Sequence, residues 1–272
     1  MKQTQSSPLS ISSLKINFSA LVIRSIRWLR LKSVLKSLVS YTPQAFQKWV
    51  ENVKLNDSYS NKLVPEKEIT QKYREAFLLL GEKQKPETLG DYLEFGVCHG
   101  TSMVCLHKVL QELNLKQVRL FGFDSFEGLP ETARNDDGGA WFPGQFNSSL
   151  ELTSKILTEQ GIDWNRTFLV KGWFSETLNQ DLVEKYQLTK ASVIMVDCDM
   201  YLSAKEALNF CAPLIQEEAI IFFDDWYSQN LDQKNMGEKR AFDEFLQENP
   251  HFGTEKLGSY TANAQIFRVF RK

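Results

Sequence analysis

Histidine and cysteine are scarce in this chain: three and four residues among 272. The cysteines, Cys98, Cys105, Cys198 and Cys211, form no CxxC pair. That excludes a disulfide frame and a cysteine-rich zinc site, and it points to reduced thiols in a reducing, cytoplasmic compartment. His107 and His251 read as structural, while His99 lies in a glycine turn where it could touch a ligand without being a catalyst. No apolar run reaches the length of a membrane span, and no internal repeat is present. A large positive charge is missing too: the net charge is −2, so the overall balance does not point to nucleic acid. Hydrophobic residues at 42% and charged residues at 24% are ordinary for a soluble globular protein. The length suits one large α/β domain with an N-terminal extension.

One absence is local. No acidic residue precedes Glu51, while Lys15, Arg24, Arg27, Arg30, Lys32, Lys36 and Lys48 do, interleaved with Leu21, Ile23, Ile26, Trp28, Leu31, Leu35 and Leu38. Residues 1–60 therefore read as a basic, apolar helical arm behind a polar, serine-rich start. It would either lie peripherally on an anionic membrane or pack on the domain or on a second copy in a homo-oligomer. A signal peptide is disfavoured, because arginines interrupt the apolar run and no small-residue cleavage site follows. Residues 61–90 hold a leading helix with Tyr73, Ala76, Phe77 and Leu80 at helical spacing and Gly81 at its end. In an α/β enzyme such a helix would cover the cleft.

The rest of the chain is organised around residues 92–102, YLEFGVCHGTS. An apolar run carrying Glu94 leads to Gly96 and Gly100, and Thr101 and Ser102 open a helix. Strand, glycine turn and helix start form a nucleotide-type cofactor site in which unpaired N–H groups would hold an anion. By itself the pattern is also that of a tight turn with a helix cap. About 20 residues on, the strand VRLFGFD ends in Asp124, where an acid can accept two hydrogen bonds from ribose hydroxyls. Residues 131–147, with Trp141, Phe142 and Phe146 among acids and glycines, are too long and aromatic for a plain connector and read as a lid or binding loop. A third strand, RTFLV, precedes Gly172, Trp173 and Phe174, aromatics that would lie against an adenine ring or belong to the core. Further strands, ASVIMV and AIIFF, run into Asp197-Cys198-Asp199 and Asp224-Asp225. A last, alternating strand, AQIFRVF, suggests an antiparallel edge.

Acids at the carboxyl ends of neighbouring strands, about 5 Å apart, would converge. Asp197, Asp224 and Asp225 have no basic partner within their motifs, so they would raise each other's pKa unless a divalent cation resolved the conflict. Oxygen-only ligands suit Mg²⁺. The alternative is that these acids cap the helices that follow.

In order along the chain, LEFGV (93–97), FDSFEGLP (123–130), GQF (144–146), GWF (172–174), VDCDMY (196–201) and FDDW (223–226) resemble the macrocin O-methyltransferase family over residues 91–272. The resemblance implies a Rossmann-like class I methyltransferase fold, a seven-stranded, mostly parallel α/β sheet with an antiparallel last strand. It implies S-adenosyl-L-methionine as cofactor, bound by Glu94, Gly96 and Asp124, Ser125 and Phe126, with 172–174 bordering the adenine. It also implies Mg²⁺ on Asp197, Asp224 and Asp225, and a sugar or glycosylated natural product as acceptor. Glu217-Glu218 stands where the family often has two glycines, and is expected on the surface. Asp197 is the first candidate for the base that takes the acceptor's proton. A nicotinamide-dependent oxidoreductase is disfavoured by the incomplete G-x-G-x-x-G pattern. A membrane-surface scaffold with a degenerate cofactor fold is the non-enzymatic alternative.

Overall fold

A computed structural model describes residues 64–272, so the basic arm expected over residues 1–60 lies outside the described residues. From Val64 onward the chain forms helix α1 (Glu66–Gly81), strand β1 (Asp91–Phe95), α2 (Thr101–Glu112), β2 (Leu120–Asp124), α3 (Leu150–Glu159) and β3 (Thr167–Lys171). There follow α4 (Phe174–Thr177), α5 (Gln180–Tyr186), β4 (Ala191–Val196), α6 (Tyr201–Cys211), β5 (Glu218–Phe223), α7 (Gly237–Glu248), β6 (Phe252–Gly258) and β7 (Gln265–Arg271). The strands form one seven-stranded sheet in the order β3-β2-β1-β4-β5-β7-β6. β1 to β5 pair in parallel, and β7 runs antiparallel to both of its neighbours. None of the helices among the described residues is long and apolar enough to cross a membrane.

Both faces of the sheet are covered, which is why its central strands read as continuous apolar runs. Alternate residues divide between two cores. Tyr92, Val193, Met195, Ile220 and Phe222 pack with α1 and α2 through Tyr73, Phe77, Met103 and Leu106. Leu93, Phe95, Ile194, Val196, Ile221 and Phe223 pack with α6 and α7 through Ala204, Leu208, Phe242 and Phe245. The described part of the leading helix therefore lies on a face of the sheet, Tyr73 against Tyr92 and Phe222.

One sequence expectation changes. Glu218 is buried at the start of β5 and pairs with Arg268 at 2.6 Å; only Glu217 beside it is exposed. A buried acid is tolerated there because β7 brings a guanidinium to it. Strand β6 and helix α5 were not legible from periodicity, since β6 buries only its first two residues and α5 only Leu182. Gly81 closes α1 without a left-handed cap, as Glu82 beyond it stays in the right-handed region.

A buried hydroxyl relay ties three elements together. Tyr73 and Tyr92 share a hydrogen bond of 2.9 Å between their hydroxyls. Tyr92 Oη donates to Glu94 Oε2 at 2.5 Å, and the Ser102 hydroxyl donates to Glu94 Oε1. α1, β1 and α2 are joined by one carboxyl group with no exposure. Burial pushes that carboxyl up to about 8, and the two hydroxyls pull it only part of the way back. Between the ordinary glutamate range and about 8, the folded state keeps a proton that the unfolded chain has released. The stability contributed by this group therefore falls as pH rises through that window. In Glu94→Gln this component should vanish, flattening the pH dependence of unfolding free energy by up to about 1.4 kcal/mol per pH unit. Urea unfolding of both proteins in mildly acidic and mildly alkaline buffer measures it; identical slopes would mean that Glu94 titrates normally.

Candidate active site

The strand ladder continues past the strands and sets the site out in a row. Gly172 N donates to Asp124 O at 3.0 Å, Gly96 N to Phe123 O at 2.9 Å, Asp197 N to Phe95 O at 2.9 Å and Asp224 N to Val196 O at 3.1 Å. The carboxyl-end residues thus stand side by side, with the point where the strand order reverses, between the parallel strands β1 and β4, at the centre. That is where an open α/β sheet binds its ligand.

On one side is the glycine loop. Gly96 has φ +91, and a Cβ there would lie 1.8 Å from the backbone oxygen of Asp197. At Gly100, φ +75, a Cβ would meet the Leu157 side chain at 2.6 Å. Contact within the chain by itself requires glycine at both positions. Val97 N and Cys98 N donate to Asp124 Oδ2 at 2.7 and 3.0 Å, and Phe126 N donates to Oδ1 at 2.7 Å. Thr153 Oγ1 donates to Cys98 O at 2.5 Å from the other side. Gly100 offers no side-chain cap, so the first-turn N–H groups of α2, from Thr101 and Ser102 onward, are available to an anion. A carboxylate accepts about four hydrogen bonds. With three positions on Asp124 already filled, it has room for one ribose hydroxyl instead of two.

The remaining cofactor candidates divide. Ser125 Oγ donates to Gly128 O at 2.9 Å and accepts from Glu127 N at 3.1 Å, shaping the turn that seats Phe126 in the core. At Gly172, φ +146, a Cβ would strike Thr177 Cγ2 at 2.5 Å. Phe174, half-buried, packs edge-on against Phe95 at the edge of the core, with centroids 5.7 Å apart. Trp173, just before α4, is half-buried and makes no ring contact with another aromatic among the described residues. Glu94 and the Ser102 hydroxyl are spent on one another, so neither side chain faces the cleft.

On the other side are the acids. One oxygen each from Asp197, Asp224 and Asp225 lies within 4.8 Å of the others, and all three residues are half-buried. Burial, then Asp224, Asp225, Asp199 and Glu94, holds the Asp197 carboxyl well above its ordinary range. Burial and Asp225 push Asp224 up to about 7. Asp199, at φ +62, hydrogen-bonds Asp225, and burial followed by the Asp225 charge raises it as well. Among the described residues no lysine or arginine pairs with any of these acids. A donor set of oxygens only, with repelling charges and no internal cation, fits Mg²⁺.

Three partners of these acids carried no signal in the sequence. Tyr260, ahead of β7, donates its hydroxyl to Asp224 Oδ1. Ser228 Oγ donates to Asp225 Oδ1 at 2.5 Å. Glu238, in the first turn of α7, accepts from Asp225 N at 3.0 Å. All three reach the site through tertiary packing, and no spacing rule connects them to the acids. His99 is half-buried and its pKa is lowered by burial, His107 is buried in α2, and His251 packs on Phe252.

Comparison with known proteins bears on the family and the fold. Residues 79–249 match the macrocin O-methyltransferase (TylF) family. The 8-demethyl-8-(2,3-dimethoxy-alpha-L-rhamnosyl)-tetracenomycin-C 4'-O-methyltransferase of Streptomyces olivaceus is 26% identical over 143 residues, 50% of this chain. The chain spans about half (53%) of that relative's length. The O-methyltransferase NovP superposes with a TM-score of 0.61 at 17% identity, over 75% of this chain and 79% of NovP. The calicheamicin methyltransferase CalS11 does so with a TM-score of 0.57 at 19% identity, over 100% and 98%. These two likenesses show the fold, a Rossmann-like class I methyltransferase sheet. With well over half its length matched to one family, the chain belongs to the macrocin O-methyltransferases.

Proposed function

We propose that this protein is an S-adenosyl-L-methionine-dependent, Mg²⁺-assisted O-methyltransferase acting on a hydroxyl of a sugar or glycosylated natural product. The observation that carries the reading is the convergence of Asp197, Asp224 and Asp225 directly beside the glycine loop. Family membership supports methyl transfer. The sugar acceptor is supported by the Streptomyces olivaceus relative, whose name places its reaction on a rhamnosyl group.

The donor would lie across the strand ends from Gly172 to Gly96. The α2 amides of Thr101 and Ser102 would hold its carboxylate, Asp124 one ribose hydroxyl, and Trp173 the adenine face. Gly96, Ser125, Phe126 and Gly172 shape this cradle through backbone, while Glu94 and Phe174 support it from behind. Asp197, Asp224 and Asp225 would hold Mg²⁺, which when bound neutralises the carboxylates and acidifies a coordinated hydroxyl. Asp197 has two oxygens, so it can serve the cation with one and receive the acceptor's proton on the other. The methyl group leaves the donor sulfur as the acceptor oxygen bonds to it, and the sulfonium becomes a neutral thioether. The close approach of Gly96 to Asp197 fixes the base relative to the donor loop, the kind of positioning that lowers barriers by several kcal/mol.

Methylation of a rhamnosylated acceptor should stop when a chelator is added and return with excess Mg²⁺. Full activity in excess chelator would remove the cation from this account. Asp197→Asn should lower kcat by about 10²–10⁴-fold. Calorimetric binding of S-adenosylhomocysteine should meanwhile be nearly unchanged. Undiminished turnover would remove Asp197 as the base.

The basic arm suggests a further partner, an anionic membrane surface. Its positive charge is separated in the chain from the acids, all of which lie at Glu51 or beyond. The full-length protein should co-sediment with phosphatidylserine vesicles in low salt and be released in high salt. Equal recovery with neutral vesicles would instead favour packing on protein.

A further inference from the structure

Residues 131–147 are not a free flap. They form two 3₁₀ turns, Glu131–Arg134 and Asp136–Gly139, and bury Ala133 and Trp141 in a small apolar cluster with Met200 and Leu231. Met200 follows the acids of β4, and Leu231 follows those of β5. The loop is therefore packed against both segments that leave the carboxylate site.

Asp137 sits at the junction. It is 6% exposed and adopts φ +48, a left-handed conformation that non-glycine residues take up only at a cost. Its Oδ2 accepts from Tyr201 N at 2.8 Å, and its Oδ1 accepts from Gly237 N at 2.7 Å. These are the first residues of α6 and α7. Neither helix has a cap of its own, since Met200 and Met236 stand at the N-cap positions without a side-chain acceptor. First-turn N–H groups need a partner when buried, and an anion is favoured at a helix start. A single carboxylate from a distant loop serves both helices, and Asp136 adds a bond from Leu202 N at 3.2 Å.

Each anchored amide is linked to the acids through a residue close to it in the chain. Glu238, the residue after Gly237, accepts from Asp225 N at 3.0 Å. Tyr201 is two residues beyond Asp199, which hydrogen-bonds Asp225. From this geometry we infer that Asp137 is a positioning residue for the reaction, clamping the exits of β4 and β5 so that Asp197, Asp224 and Asp225 converge tightly enough to hold a cation. The inference rests on the proposed metal site. Outer partners that orient metal ligands are worth about 10–100-fold in affinity.

The test compares the wild type with Asp137→Asn, which keeps the shape but turns an NH₂ group towards one of the two amides. Mn²⁺ affinity is read by electron paramagnetic resonance titration, and S-adenosylhomocysteine affinity by calorimetry. The variant should bind Mn²⁺ about tenfold more weakly, with S-adenosylhomocysteine affinity unchanged. Equal Mn²⁺ affinity, with only a lowered melting temperature, would reduce Asp137 to a loop anchor and overturn the inference alone. Absence of Mn²⁺ binding by the wild type would overturn the metal site and the inference together. If the variant does not fold, amide hydrogen exchange of the wild type decides. Coupling is reciprocal, so saturating Mg²⁺ should slow exchange at Tyr201 and Gly237 by about tenfold; unchanged exchange there overturns the inference.

Discussion

Repulsion among half-buried like charges is the constraint around which the carboxyl end of this sheet is built. Asp197, Asp224 and Asp225 are held with oxygens within 4.8 Å of one another, and each is pushed towards its protonated form. Left to themselves such groups would separate or remain neutral. They are kept together by backbone bonds that extend the β1–β4–β5 ladder. Tyr260 and Ser228 add hydroxyl donors, and Glu238 fastens the Asp225 amide. Strain of this sort, maintained where no basic side chain relieves it, suits a site that takes its positive charge from a bound cation.

The donor side of the cleft is coupled to the acidic side by close packing. Gly96 lies so near the Asp197 carbonyl that no side chain fits between them, and Asp124 spends three acceptor positions on its own chain, two of them on the glycine loop. This contact opposes a shift of β1 against β4 and keeps the glycine loop and Asp197 in fixed relation. Glu94 serves the same rigidity from beneath. Its carboxyl accepts from Tyr92 and Ser102, linking the strand to the helix whose amides would face the donor. Its burial explains why an acid inside an apolar run need not be a ligand-binding group.

Much of the layout was legible because parallel sheets obey simple rules. Apolar runs ending in glycine or aspartate marked β1, β2, β4 and β5, and strand-end placement alone brought Asp197 to the Asp224-Asp225 pair. Legibility failed where a residue's role depends on what packs against it. Glu218 looked like a surface acid until β7 brought Arg268 to it. Trp173 and Phe174 read alike in the sequence, but only Phe174 packs against an aromatic ring of the core among the described residues. β6 was hidden because its exposed half carries no alternating apolar signal.

The amino-acid sequence by itself determined the sheet class, the end of the sheet where the site lies, and which acids meet there. It could do so because strand periodicity and the position of a residue after a strand are local properties. Tertiary structure decided which groups hold those acids in place. Tyr260, Ser228, Glu238 and Asp137 reach the site from turns and helix starts elsewhere in the fold, Asp137 from 64 residues before Tyr201. Hydrogen bonds across such separations follow from how helices pack on the sheet, and no local pattern encodes them.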